Sequence, residues 1–198
     1  MSLYSFLKKI AVVVFKAMYR INVYGKENIE DKENRGNIII CANHTHEFDP
    51  IIISIMYPRQ IFWMAKKQLF KNKIVASFLS KLGAFPVDRE ETDLSTIKKS
   101  LNILKEDGVL GIFPEGTRVK KIDLENAKPG VGLIALKSNA AILPVYIDGN
   151  YKLFSKINIY FGKEIDLSEY QNKKPTKDDY LFISKKILES IYSLKQRG

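Results

Sequence analysis

The sequence predicts an α/β fold in which helices flank a mostly parallel sheet. Two fully apolar runs, Ile38-Ile39-Ile40 and 109–113, lack the alternation of a strand with one wet face, as expected for parallel strands covered on both sides. Between such runs, apolar residues recur every three or four positions, which indicates helices. Because strands and helices alternate along the chain, we expect one α/β domain.

Residues 3–21 form the first predicted helix, which is basic and amphipathic. Its longest uncharged stretch is six residues, 10–15, far below the roughly 20 that span a bilayer. It carries four basic residues, no acidic residue and several aromatic side chains, which fits a helix lying in a membrane interface. The alternative is a helix packed on its own domain. We predict a membrane-associating helix at 1–20 and the main domain at 21–198.

The remaining elements alternate, and Gly or Pro marks most of their ends. Residues 26–35 are predicted to be a loop. The predicted strands are 21–24, 37–41, 61–65, 85–87, 109–113, 141–147 and 157–161, and the predicted helices are 50–56, 67–82 in two pieces, 93–106, 129–139 and a last helix capped by Thr176.

The composition limits the class of protein and of partner. The chain has 198 residues, 45% of them hydrophobic, which suits one domain with a sizeable core. Its single cysteine excludes an internal disulfide and a cysteine-rich metal site, and a reducing cytoplasmic setting is expected. The net charge is +10, and residues 50–87 hold six basic residues but no acidic one, which favours an anionic partner.

The stretch 41–50 holds both histidines of the chain and links a buried strand to a helix. Asp49 is predicted to be the N-cap of that helix, with Pro50 at its first position. His44 and Asp49 are five residues apart, so they can meet only across a strand-to-helix turn. A carboxylate on one His nitrogen fixes the ring tautomer and stabilises the imidazolium. We predict a base, His44, with Asp49 as its partner; purely structural roles in the turn are the alternative.

Polar residues directly follow four of the predicted strands: His44, Lys66, Arg89 and the turn 115–118. Because the carboxyl ends of parallel strands meet at one edge of a sheet, we expect these residues to line one crevice. This expectation requires that none of the four strands runs antiparallel.

The turn 113–118, Phe-Pro-Glu-Gly-Thr-Arg, suits an anion. Gly116 lets the backbone approach closely, Thr117 offers a hydroxyl, and Arg118 can bind a phosphate through two parallel hydrogen bonds. An ordinary Pro-x-Gly turn is the alternative. A phosphate site beside a His–Asp base predicts proton abstraction from a hydroxyl of a phosphorylated substrate.

Four blocks in this order resemble those of the glycerolipid acyltransferases, in particular the 1-acylglycerol-3-phosphate (lysophosphatidic acid) acyltransferases. The blocks are Asn43-His44-x4-Asp49, residues 83–89 (Gly-Ala-Phe-Pro-Val-Asp-Arg), the turn 113–118, which is an unbroken match, and residues 141–145 (Ala-Ile-Leu-Pro-Val). Lys128-Pro129-Gly130 also resembles the family segment before the last block. The resemblance covers about residues 22–150 and implies that residues 21–198 form an acyltransferase domain.

The resemblance implies an enzyme that moves a fatty acyl group from an acyl thioester to the 2-hydroxyl of lysophosphatidic acid, giving phosphatidic acid for phospholipid biosynthesis. His44 would be the general base and Asp49 its orienting partner, with direct attack, no acyl-enzyme, and neither a metal nor a bound cofactor. The residues implied in binding the glycerol phosphate are Lys66, Arg89, Glu115, Gly116, Thr117 and Arg118. The donor would be acyl carrier protein or CoA, and the enzyme would lie on the anionic, cytoplasmic face of the cell membrane. No nucleic acid partner is expected.

One position departs from the family pattern, because His46 stands where the first block usually has Ser. Four other interpretations remain open. They are a binuclear metal site built on His44, His46 and Asp49, a Cys41 nucleophile, a non-enzymatic basic module that binds membrane or nucleic acid, and an acyltransferase for glycerol 3-phosphate or another lyso-lipid.

Overall fold

The structure, a computed structural model, describes residues 3–30, 36–87, 94–171 and 175–197. These ranges contain seven strands and eight α-helices. The strands are β1 (Arg20–Tyr24), β2 (Ile38–Ala42), β3 (Ile61–Lys66), β4 (Ala84–Val87), β5 (Val109–Ile112), β6 (Ala141–Gly149) and β7 (Lys156–Phe161). The helices are α1 (Leu3–Met18), α2 (Glu27–Glu30), α3 (Asp49–Met56), α4 (Lys73–Lys81), α5 (Leu94–Lys105), α6 (Pro129–Ser138), α7 (Ser168–Gln171) and α8 (Lys177–Ser193), with 3-10 turns at Lys67–Phe70, Leu124–Asn126 and Leu194–Arg197.

The strands form one sheet in the order β1-β7-β6-β2-β5-β3-β4. The five neighbours β6, β2, β5, β3 and β4 run parallel. Strand β7 pairs antiparallel with β6 and parallel with β1. The predicted α/β fold with a mostly parallel sheet is therefore confirmed, and all four strands that lead to the predicted polar residues belong to the parallel five.

The sheet separates two apolar cores, because side chains along each strand point alternately to its two faces. Within β2, Ile39 and Cys41 join one core together with α5, α6 and α8. Ile38 and Ile40 join the other core, where α1 and α3 pack. This three-layer arrangement explains why β2 is apolar throughout and buried at every position.

Most predicted elements are found with ends shifted by one to three residues. The helical stretch 67–82 is divided into a 3-10 turn and α4, as predicted, and Thr176 caps α8 through a capping box with Asp179. The predicted loop 26–35 was wrong in part, because Glu27–Glu30 form the short helix α2. Residues 31–35 lie outside the described residues.

Helix α1 is apolar on two faces. Phe15 and, just after the helix, Tyr19 are buried in the core beside α3. A second stripe of apolar side chains faces outward at Leu3, Phe6, Ile10, Val13 and Val14. Among the described helices, none is long and apolar enough to cross a bilayer. The division into residues 1–20 and 21–198 stays a prediction.

Candidate active site

His44 and Asp49 form a hydrogen-bonded pair in the turn between β2 and α3. Nδ1 of His44 lies 2.9 Å from Oδ2 of Asp49. The same oxygen accepts the backbone N–H groups of Thr45 and His46, both at 2.7 Å. The Asp49 carboxylate is fully buried, so these bonds replace its hydration. The turn thus wraps around one carboxylate oxygen, and the two residues meet across it as their spacing predicted.

The prediction that Asp49 is an N-cap is wrong. Phe48 occupies the N-cap position without a side-chain hydrogen bond, and Asp49 is already the first residue of α3. The carboxylate of Asp49 is directed back to the backbone of the preceding turn, where it accepts the N–H groups that the turn leaves unpaired.

The ring of His44 rests on an aromatic stack. It lies parallel to the ring of Phe113, with 4.0 Å between centroids and 16° between planes. Phe113 in turn stacks on Trp63 of β3 at 4.8 Å. Gly111 makes room for this stack, because a Cβ atom there would lie 2.4 Å from the Trp63 ring. Since Nδ1 of His44 is engaged with Asp49, Nε2 is the ring nitrogen that can take a proton from a substrate.

The carboxylate of Glu115 holds the same turn through a hydrogen bond to the backbone of His44. Its Oε2 accepts the backbone N–H of His44 at 2.9 Å, and its Oε1 accepts the hydroxyl of Tyr192, near the end of α8. The residue is 1% exposed. Burial raises the pKa of its carboxyl group, while the two hydrogen bonds lower it and the charge of Asp49 raises it further. Glu115 thus lies at the predicted edge of the sheet, bonded to the backbone of His44; its predicted contact with the substrate stays a prediction.

Tyr151 binds the second oxygen of Asp49 and was missed by the sequence analysis. Its hydroxyl donates to Oδ1 of Asp49, and burial, followed by the charge of Asp49, raises its pKa. A tyrosine two residues past a strand carries no motif. Its one sequence signal is its position soon after the predicted strand 141–147. Because that strand, β6, lies next to β2 in the sheet, residues near 150 reach this edge.

Three of the other predicted binding residues, Gly116, Thr117 and Arg118, lie in the turn after β5 at the same edge of the sheet. Gly116 has φ of 69° and closes the turn after β5 by donating to the Phe113 carbonyl at 2.9 Å. The exposed Thr117 and Arg118 follow it, and Val119 donates its N–H to the His44 carbonyl at 2.8 Å. This bond fixes the loop against residues 43–48, the turn between β2 and α3; because it carries the predicted base His44, we call this segment the catalytic turn.

Of the three predicted cations of the site, the structure describes two, Arg118 and Lys66, and these have different surroundings. The guanidinium of Arg118 lies 3.5 Å from the carboxylate of Glu47, and both groups are largely exposed, a weak pairing that leaves it free to bind an anion. Lys66 is exposed at the end of β3, opposite Val87 of β4. Arg89 lies outside the described residues.

Comparison with known families agrees with this geometry. The family model described as Acyltransferase matches residues 20–148, which include the His44–Asp49 pair and the 113–118 turn. This chain belongs to the acyltransferase family.

Relatives of this acyltransferase share most of its length. The chain is 32% identical over 201 residues to a protein of Bacillus subtilis named 1-acyl-sn-glycerol-3-phosphate acyltransferase, covering 98% of each. A Streptococcus pneumoniae protein of the same name is 33% identical over 84% of this chain and 64% of its own length. The crystal structure of a 1-acyl-sn-glycerophosphate (LPA) acyltransferase from Thermotoga maritima has the same fold, with a TM-score of 0.72 and 20% identity over 98% of this chain and 79% of that one.

Two residues of the sequence blocks, Asn43 and Lys128, have structural positions that the sequence did not predict. The buried side chain of Asn43 donates to the Ile147 carbonyl at 2.9 Å and accepts the Ile147 N–H at 2.8 Å, so it continues the β2–β6 ladder past the end of β2. Lys128 runs beside the turn, because a Cβ atom on Gly116 would lie 3.4 Å from its Cγ. Its exposed ammonium is therefore a further cation beside this turn.

The structure bears on two of the competing interpretations. Cys41 is fully buried in the sheet, and burial raises the pKa of its thiol, so the reactive thiolate is disfavoured. In the described ranges, no group of three or more His, Cys, Asp and Glu side chains is arranged to hold a metal ion.

Proposed function

We propose that this acyltransferase moves a fatty acyl group from an acyl thioester to the 2-hydroxyl of 1-acylglycerol 3-phosphate and so makes phosphatidic acid. The observation that carries the proposal is the 2.9 Å contact between His44 and Asp49 at the sheet edge that also bears the 113–118 turn. The full-length similarity to a relative named for this reaction supports the choice of acceptor.

The pair acts as a general base without a covalent intermediate. Nε2 of His44 takes the proton of the 2-hydroxyl while that oxygen attacks the thioester carbonyl, and Asp49 stabilises the imidazolium that forms. When the tetrahedral intermediate collapses, the C–S bond breaks and the imidazolium returns the proton to the leaving thiolate. The ester and the free thiol are the products, and His44 is neutral again.

Exposed polar groups of the edge bind the phosphate of the acceptor. Arg118 and Thr117 contact it from the turn after β5, where the backbone at Gly116 allows a close approach. Lys66 adds positive charge from the end of β3, and we expect Arg89 to add to it. Glu115 is the exception among the residues of this block, because its buried carboxylate orients His44.

An anionic membrane surface is the second partner, and helices α1 and α4 contact it. The outward stripe of α1 includes Val13, which is 70% exposed. Helix α4 buries none of its side chains, and its Ile74 is 81% exposed. Both helices carry lysines and no acidic residue. Apolar side chains flanked by lysines fit the interface of an anionic bilayer, where the acceptor resides. We therefore place the protein on the cytoplasmic face of the cell membrane.

The assay for the reaction measures phosphatidic acid. It uses the purified full chain with lysophosphatidic acid and, as donor, either acyl-CoA or acyl carrier protein loaded with a fatty acyl group. We expect product with at least one donor, and a loss of about 10²–10⁴-fold in kcat for His44→Ala. Cys41→Ser should keep its activity. If glycerol 3-phosphate or another lyso-lipid were acylated faster, the acceptor assignment would be wrong. If His44→Ala stayed within about tenfold of the wild type, the base assignment would be wrong.

The membrane contact is tested by sedimentation with anionic and with neutral vesicles. Deleting residues 1–20 would remove Phe15 and Tyr19 from the core, so single surface substitutions are preferable. We expect Val13→Asp and Ile74→Asp to weaken binding to anionic vesicles. Leu94→Asp, on the exposed side of α5, is the matched control and should bind as the wild type does. Equal binding by all three variants would exclude α1 and α4 as the contact.

A further inference from the structure

Tyr151 reaches the catalytic turn from beyond the region that the family model matches. Its backbone is left-handed, with φ of 56°, which is uncommon for a bulky residue. Its hydroxyl donates to Oδ1 of Asp49. Its ring stacks on His46, with 3.9 Å between centroids and 12° between planes. An unfavourable backbone conformation that places both parts of one side chain against the same turn points to a role in that turn.

We propose that Tyr151 is a positioning residue for the acyl transfer: its hydroxyl fixes the Asp49 carboxylate, and through it His44, while His46 holds its ring. The reaction in this statement rests on the proposed function. The hydrogen bond itself is present without turnover, so it can be examined separately.

Asp49 needs a donor on each oxygen, and the two come from different parts of the chain. Oδ2 accepts His44 and the backbone of the catalytic turn. Oδ1 accepts the phenol of Tyr151. A donor on the second oxygen prevents the Asp49 carboxylate from rotating and spreads the charge of the carboxylate. That charge sets how strongly Asp49 holds the imidazolium of His44. Because the pKa of Tyr151 is raised, its hydroxyl stays protonated and remains a donor.

His46 acquires a role through this contact. Its Nδ1 accepts the backbone N–H of Phe48 at 3.2 Å, which fixes the orientation of the ring. One face of that ring then lies on Tyr151, while the ring of Phe48 packs edge-on at 5.0 Å. The serine that usually stands at this position of the family block has no ring to stack. The ring of His46 therefore supports the Tyr151 ring through a contact that serine cannot make.

Other titratable groups also face Asp49 and Tyr151 in the described parts of the chain. They are Glu115 from the turn after β5, His46 from the catalytic turn, Tyr19 after α1 and Asp148 near the end of β6. Tyr151→Phe leaves all four in place. A change in the pH profile of that variant therefore reports the missing hydroxyl.

The experiment compares Tyr151→Phe with Tyr19→Phe in the full chain. Tyr19 is a matched control, because its ring packs edge-on against Tyr151 at 6.0 Å but its hydroxyl is directed to the Tyr151 carbonyl, at 3.5 Å. We expect Tyr151→Phe to lower kcat by roughly tenfold, the effect of one hydrogen bond to a charged group, with KM for lysophosphatidic acid little changed. A carboxylate that loses this donor holds the imidazolium proton more strongly. The acid limb of kcat/KM against pH should therefore move to higher pH in Tyr151→Phe and stay in place in Tyr19→Phe.

The role of His46 is tested by His46→Ser alone and in combination with Tyr151→Phe. If the histidine acts through the tyrosine, the double variant should lose little more activity than Tyr151→Phe alone. Losses that multiply would show that His46 acts independently.

Two results would overturn the proposal for Tyr151. One is a wild-type kcat and pH profile in Tyr151→Phe. The other is a loss of activity that matches the loss of folded protein, with the profile unmoved, which would indicate a structural role only. Proton NMR of the His44 Nδ1–H provides a readout without substrate, and its resonance should shift in Tyr151→Phe but not in Tyr19→Phe. If the wild type made no phosphatidic acid while this shift occurred, the proposed function would fail and the positioning contact would stand.

Discussion

The backbone N–H of His44 donates to Oε2 of Glu115 at 2.9 Å, so a carboxylate after β5 holds the residue that we propose as the base. The other oxygen of Glu115 accepts the hydroxyl of Tyr192. Tyr192 lies in α8, beyond the residues 20–148 that the family model matches. Helix α8 is therefore part of the support of the candidate active site.

Tyr192→Phe should destabilise the fold, because a hydrogen bond to a buried carboxylate is lost. Such bonds contribute about 1.5–3 kcal/mol, and we expect a loss of that order in the free energy of unfolding. Urea denaturation measures it. Tyr24→Phe, whose ring is exposed and stacked on Tyr160, is the control and should change stability little. Equal stability of both variants would argue against the Tyr192–Glu115 bond.

Glu115 should make stability depend on pH, because burial holds its pKa above the ordinary value of 4.5. Between that value and the raised one, the folded state binds more protons than the unfolded state, so the stability that comes from this group falls as pH rises. Glu115→Gln cannot titrate. The unfolding free energy of the wild type minus that of the variant should therefore decrease from about pH 4 to about pH 7. This range begins near the ordinary carboxyl pKa of 4.5 and extends above it. A difference that rose over this range would contradict the assigned direction.

Asn43→Ala should be strongly destabilising. The side chain satisfies both the N–H and the carbonyl of Ile147, and its loss leaves two buried backbone groups unpaired. We expect a cost of roughly 2–4 kcal/mol in chemical denaturation. Asn22→Ala is the control in the same sheet, since among the described residues its side-chain amide bonds to the side chain of Asn158 alone, at 2.8 Å. A similar, small effect of both substitutions would mean that water replaces Asn43.

Gly132→Ala should force α6 away from α8. A Cβ atom there would lie 2.1 Å from the Tyr180 carbonyl oxygen, a backbone atom that cannot move by itself. Overpacking of this kind costs about 1–3 kcal/mol in the free energy of unfolding. Gly130→Ala in the same helix has open space and should be neutral or stabilise by about 0.4–1 kcal/mol. The opposite order of the two melting temperatures would refute this account of the helix packing.

Arg118→Ala should weaken binding of the acceptor more than the chemical step. We expect KM for lysophosphatidic acid to rise by about tenfold with kcat nearly unchanged, as for a lost phosphate contact made equally in the ground and transition states. Lys120→Ala, an exposed cation on the same loop, is the control. If kcat fell while KM stayed constant, Arg118 would act on the transition state and the assignment would have to change.

Several features of the site could be predicted from the sequence because they depend on local patterns. The apolar runs of β2 and β5 indicate parallel strands, and parallel strands place His44 and the 113–118 turn at one edge. The five-residue offset between His44 and Asp49 restricts their contact to a turn. These inferences use only periodicity, spacing and the chemistry of each residue type.

Other features depended on contacts between residues far apart in the chain. Asp is a residue type favoured at N-caps, but the carboxylate of Asp49 is directed back to the turn because a buried carboxylate requires donors for both of its oxygens. Glu115 stands in a sequence block that predicts a substrate contact, but its bonds to the His44 backbone and to Tyr192 could be seen only in the tertiary structure. Tyr151 and Tyr192 carry no motif, because a phenol that donates to a distant carboxylate leaves no local pattern.

The sequence by itself therefore determined the fold class, the spacing that lets His44 and Asp49 meet across a turn, and the edge of the sheet at which they meet. Only the tertiary structure decided which groups hold that pair in place: Tyr151 on Asp49, and Glu115 with Tyr192 beneath His44. The reason is physical, since strand order and helix packing bring together residues whose separation along the chain exceeds any local period.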